Sequence, residues 1–174
     1  MLRRETAASH DRLDGAMAGL ELNNPADYAL FLRLQLAARA PIERWAALHC
    51  EEALRPPQSV SLLLGDLAQL GAESTLPEGT FAPPTGSHPL GLAWAIAGSH
   101  LGNRALLTRL ERQGTDLPTT FLADPRLLAF WKRIRPLLEI PATEGPAAGA
   151  LVAAEAVFAC FVQALDTCEG RLAA

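Results

Sequence analysis

The chain has 174 residues, of which 49% are hydrophobic and 20% charged, enough apolar content for one substantial core and too little length to imply two. Its formal net charge of -4 argues against nucleic acid as a bulk partner, because neutralising phosphates needs a concentrated cationic face. The apolar runs are broken by charge and none reads as a membrane span of about 18 uninterrupted residues. With no hydrophobic signal core at the start, the expectation is a cytoplasmic protein with neither nucleic acid nor membrane as partner.

Leucine and alanine recur at three- and four-residue spacing, and no segment alternates β-branched residues with period two, so the chain reads as all-α and as a single domain over 1–174. The spacing predicts a first helix over 2–20. Asn24 and Pro25 open a second that Pro41 ends or kinks, since the residue before proline avoids the helical region. A third covers 42–54 and stops at Pro56 and Pro57. Ser59 reads as the cap of a fourth that reaches Leu70 before Gly71. Residues 73–88, rich in Pro, Gly, Ser and Thr, read as a loop. Helix resumes over 89–113 with Gly114 as its stop, Asp124 and Pro125 start another to Leu138, and Thr143 opens a last long one toward Arg171.

In the first helix, Leu2, Thr6, His10, Leu13, Met17 and Leu20 fall within an arc of about 80°, which points His10 inward. Asp14 stands one turn on, where its carboxylate can accept from the imidazole and orient the opposite nitrogen toward a metal. Arg3 lies about 10 Å back along the same face. A buried neutral histidine and solvated charges are the plainer readings of these residues.

Past the middle, Gly98-Ser99-His100-Leu101-Gly102-Asn103 sets two glycines one turn apart in a helical stretch, each costing about 1 kcal/mol relative to alanine. A strip without side chains lets backbone approach a flat partner closely, or lets a neighbouring helix do so. Spacing alone does not choose between them. His100 sits about 200° around from Gly98 and faces away from that strip; His49 and His88 read as surface or loop residues. Cys50, Cys160 and Cys168 have no metal-ligand spacing and read as small buried hydrophobes.

Taken together, Leu2-Arg3-Arg4-Glu5-Thr6-Ala7-Ala8-Ser9-His10-Asp11-Arg12-Leu13-Asp14 and the glycine segment resemble bacterial biliverdin-producing heme oxygenases, most similar to the bacteriophytochrome-associated type. The likeness extends loosely through Leu64-Gly65-Asp66-Leu67-Ala68-Gln69-Leu70-Gly71, Phe130-Trp131-Lys132 and Phe158. Asn103 stands where the family has a second small residue after Gly102. The resemblance implies a heme-oxygenase-like multi-helix bundle, with heme as substrate and cofactor and His10 as proximal iron ligand. It implies Asp14 as the acidic residue behind that ligand, and Gly98, Ser99 and Gly102 as the oxygen-facing floor. Arg3, Thr6, Phe158 and a basic residue among Lys132, Arg133 and Arg135 would line the porphyrin and its propionates. Heme would be cleaved with O2 and electrons from a ferredoxin or reductase to biliverdin, carbon monoxide and ferrous iron, with a bacteriophytochrome as possible recipient. A non-catalytic heme binder, or a thiaminase-type relative using a cysteine nucleophile, are the alternative functions of such a chain.

Overall fold

A computed structural model describes residues 1–172 apart from 73 and 142, and the described residues form an all-α bundle without strands. Short α1 (Leu2–Glu5) and α2 (Ala7–Met17) lead to the long α3 (Pro25–His49). A 3-10 turn follows, and then α4 (Val60–Gln69), α5 (Pro89–Gly98), α6 (His100–Arg112), α7 (Pro125–Glu139) and α8 (Glu144–Leu172).

Several expected boundaries hold for the expected reasons. Asn24 caps α3, its Oδ1 accepting from Ala26 N at 2.8 Å, and Asp124 caps α7 by accepting from Arg126 N at 3.0 Å. Gly71 and Gly114 both take φ of 65° where α4 and α6 stop, the left-handed conformation that glycine adopts without strain. Residues 74–88 carry no helix.

Other boundaries differ from expectation. The first helix is not continuous over 2–20: it breaks at Thr6, whose Oγ1 donates back to Leu2 O at 3.0 Å, the kind of hydroxyl back-bonding that bends helices. Pro41, expected to end or kink its helix, does not end it: α3 runs through it to His49. The one backbone bond that proline forfeits is offset where Ala38, Ala40 and Ile42 are all buried. The expected helix over 42–54 is therefore the end of α3 plus a 3-10 turn at Glu52–Leu54. Finally, 89–113 divides at Ser99 into α5 and α6.

Ser59 stands at the N-cap of α4, yet its hydroxyl makes no capping bond. The Glu43 carboxylate does that work from α3, accepting from Ser59 N at 2.8 Å and Val60 N at 3.3 Å. Burial pushes the Glu43 carboxyl above its ordinary range, and the two backbone N–H groups and the Arg39 guanidinium pull it back. A second carboxylate without exposure, Asp66 of α4, accepts from Thr120 N at 3.2 Å and Phe121 N at 2.8 Å. It ties down the segment before α7.

α8 organises the bundle, packing against α5, α3, α2 and α1. Its segment Glu144–Thr167 is long and apolar enough, by length and composition alone, to cross a membrane. The segment is not an uninterrupted apolar run: Glu155, midway along, breaks it and accepts from Ser9 Oγ of α2 at 2.8 Å.

The tightest helix crossing is between α5 and α8. A Cβ placed on Gly91 would run into the backbone carbonyl of Ala150 and lie 2.9 Å from its Cα. One position earlier on α8, a Cβ on Gly149 would meet the carbonyl oxygen of Gly86 at 2.5 Å. Contact between the two helices runs on from Gly91 and Ala150 to the shared core of Leu92, Ile96 and Val157 and to the edge-on pairing of Trp94 and Phe158, with ring centroids 6.5 Å apart.

Candidate functional site: the histidine helix and the glycine strip

α2 and α5 both pack on α8. The α8 ring of Phe158 meets His10 at a centroid separation of 6.3 Å and Trp94 at 6.5 Å, edge-on in both cases. Trp94 lies one turn before Gly98 on α5, so Phe158 links the histidine helix to the helix that carries the first glycine.

On α2, His10 Nδ1 and Asp14 Oδ2 are 3.1 Å apart. A carboxylate on the Nδ1 side leaves Nε2, across the ring, as the nitrogen a metal would meet. The expectation that His10 points inward is corrected: its side chain is 60% exposed. α2 anchors through Thr6 and Met17 along one edge, and the imidazole meets only the edge of the Phe158 ring among the described aromatic rings. Thr6, expected to line the ligand, is 2% exposed and bonded into the α1 terminus. Arg3 is exposed on α1, across the break from His10.

On α5 and α6, a Cβ built on Gly98 or on Gly102 meets nothing within 4 Å, so this pair does not serve close helix packing. The close backbone approaches are at Gly91, against Ala150 of α8, and at Gly149, against Gly86 in the loop before α5, which spacing did not single out. Leu101, beside Gly102, is 65% exposed.

The break between α5 and α6 is held from behind. Ser99 Oγ donates to Ile96 O at 2.8 Å and accepts from Arg39 Nη2 at 2.8 Å. Arg39 itself is 1% exposed, with Nε donating to Gln35 Oε1 at 3.1 Å and the guanidinium lying 5.1 Å above the Phe121 ring. Burial pushes its pKa down to about 10, against the pull of Glu43 and Asp124. Nη1 has no hydrogen-bond partner among the described residues. Sequence reading missed Arg39, because a buried arginine in an apolar helix looks like any surface arginine until the fold is known.

His100 turns away from the strip as expected. Its Nδ1 donates to Ala97 O at 2.8 Å and its ring lies 5.5 Å from that of Trp131. That contact places α7 on the far side of α5 and α6 from the open strip. Lys132 and Arg135, offered as propionate anchors, ride on that far helix, exposed, with Arg135 Nε donating to Glu139 Oε1 at 3.0 Å. His49 is exposed beside Trp45, and His88 caps α5 by accepting from Leu90 N at 3.2 Å. Asn103 is buried, so it leaves the glycine strip unobstructed.

Two of the three cysteines lie among the described side chains. Burial raises the Cys50 thiol and lifts Cys160 to about 11, and at pH 8 only about one Cys160 in a thousand is thiolate. Iodoacetamide at pH 8 is therefore expected to label both slowly in the folded protein and fast in urea, by peptide mass spectrometry. Rapid labelling of the folded protein would contradict this. Neither thiol suits a nucleophile, and the Cys168 side chain lies outside the described residues.

Compared with models of protein families, with curated proteins and with solved structures, the chain matches none.

Proposed function

We propose that this chain is a heme oxygenase that takes heme between α2 and the α5–α6 strip. The observation that supports the reading is the open space in front of Gly98 and Gly102, on the helix pair whose Trp94 shares the Phe158 ring with the exposed His10 imidazole. The residues present suit a planar iron-bearing ligand: one imidazole nitrogen donor, a helix edge without side chains and two aromatic rings. His10 would ligate the iron, with Asp14 fixing its tautomer.

Heme bound here supplies the iron that activates O2 and the porphyrin that is consumed, yielding biliverdin, carbon monoxide and ferrous iron with electrons from a ferredoxin or reductase. The protein's part is positional. The strip at Gly98 and Gly102 presents backbone and no acidic side chain to the oxygen side, so water can stand there as the proton source. Ser99 and Arg39 hold the helix break that sets the position of that backbone. Phe158 and Trp94 would offer the macrocycle aromatic contact.

The test is addition of hemin to the purified protein. A Soret band that shifts on binding is expected, and reductant with O2 should then yield a biliverdin absorption. His10→Ala is expected to lose the ligated spectrum while changing stability by less than about 0.5 kcal/mol, as for an exposed position. An unchanged ferric spectrum in that variant would remove His10 from the iron. A Soret shift in the native protein without pigment would reduce the reading to heme binding.

A further inference from the structure

Arg39, on the long α3, is the largest fully buried side chain among the described residues. A guanidinium carries five N–H donors, and the hydrogen bonds here engage two of its three nitrogens: Nε donates to Gln35 Oε1 and Nη2 to Ser99 Oγ. Nη1 has no acceptor among the described residues.

The charge is equally unmatched at contact distance, because no ion pair among the described residues includes Arg39. Glu43 and Asp124 attract it, but their oxygens are engaged elsewhere. Glu43 accepts from the backbone N–H groups of Ser59 and Val60, and Asp124 accepts from Arg126. A cation held dry with an unmade hydrogen bond is costly. Water at Nη1 would supply an acceptor and leave the charge as it stands; an anion supplies both.

Three segments converge on the guanidinium: α3 itself, the α5–α6 break at Ser99, and the stretch before α7, whose Phe121 ring lies 5.1 Å from the central carbon. Phe121 is itself buried, so it shuts one face of the guanidinium from solvent. Such a place suits a single small ion, since a bulky or doubly charged one gives up more hydration on entering. We infer that a small monovalent anion, chloride in ordinary salt, is held on Arg39 Nη1 where these three segments meet. It is an internal counter-ion that ties the α5–α6 break to α3, and it does not depend on what binds in front of Gly98 and Gly102.

Bromide is the probe, because it replaces chloride and scatters anomalously. Crystals of the whole chain soaked in sodium bromide are expected to show a bromine anomalous peak in contact with Arg39 Nη1. In solution, exchanging bulky gluconate for bromide at constant ionic strength should raise Tm by about 2–4 °C as the site fills, and Arg39→Met should abolish that rise. Density at Nη1 without a bromine signal is a water, and it overturns the inference. So does an absent peak, a peak at exposed arginines alone, a Tm indifferent to bromide, or an equal rise in Arg39→Met. The crystals use the wild type, so they decide the question even where Arg39→Met fails to fold.

Discussion

Gly91→Ala is expected to destabilise the protein by about 3 kcal/mol, seen as a fall of about 10 °C in Tm. The new methyl group would be driven into the carbonyl of Ala150, with Ala150 Cα also at 2.9 Å. Both atoms belong to helix backbone, so no side chain can swing aside to relieve the overlap. Relief requires α5 and α8 to separate, which strips contacts from Leu92, Ile96 and Val157 in the core they share. The same substitution at Gly102 should have the opposite sign. There the methyl meets nothing within 4 Å, and a helix-interior glycine exchanged for alanine gains about 0.5–1 kcal/mol. Gly102→Ala should therefore raise Tm by a few degrees and weaken hemin binding at once. Thermal unfolding followed by circular dichroism checks both, and equal effects at the two positions would mean that they do not differ in packing.

The second large effect is expected at Asp66. Its carboxylate is without exposure and accepts from two backbone N–H groups, Thr120 at 3.2 Å and Phe121 at 2.8 Å. Asp66→Ala strands both donors in a dry interior, at about 1–3 kcal/mol each, so a loss of about 3–4 kcal/mol is expected in urea unfolding. Asp66→Asn keeps one acceptor oxygen and should recover part of it. The damage should spread, because Phe121 carries the Arg39 guanidinium on its ring face and Tyr28 donates to Pro118 O at 2.9 Å in the same segment. Burial, and secondarily the Asp66 carboxylate, raises the Tyr28 hydroxyl pKa, so the tyrosine stays a neutral donor there. A loss of under about 1 kcal/mol in Asp66→Ala would mean that water reaches those two amides.

Helix positions were legible in the sequence wherever a local device ends them: Asn24 and Asp124 as caps, Gly71 and Gly114 at positive φ. Boundaries failed where a tertiary partner decides. Pro41 passes through α3 because its surroundings are buried, and Ser99 splits α5 from α6 because Arg39 holds it from another helix. Periodicity also misplaced His10. Sharing a stripe with apolar residues says that a position faces a neighbour, and the neighbour here leaves that edge of α2 open. The His10–Asp14 pair, one turn apart, was legible from spacing alone. Glycine spacing could not show which pair packs: Gly91 and Gly149 are singled out only by what stands opposite them, on α8 and in the loop before α5.

That crossing fixes where the glycine strip stands. Gly91 meets Ala150 of α8 backbone against backbone, and the strip begins seven residues further on, a lever of about 10 Å at 1.5 Å per residue. Tilting α5 by five degrees about that contact would move Gly98 by about 1 Å, a sizeable fraction of an aromatic ring's thickness. Substitutions at the crossing can thus displace the strip without touching it.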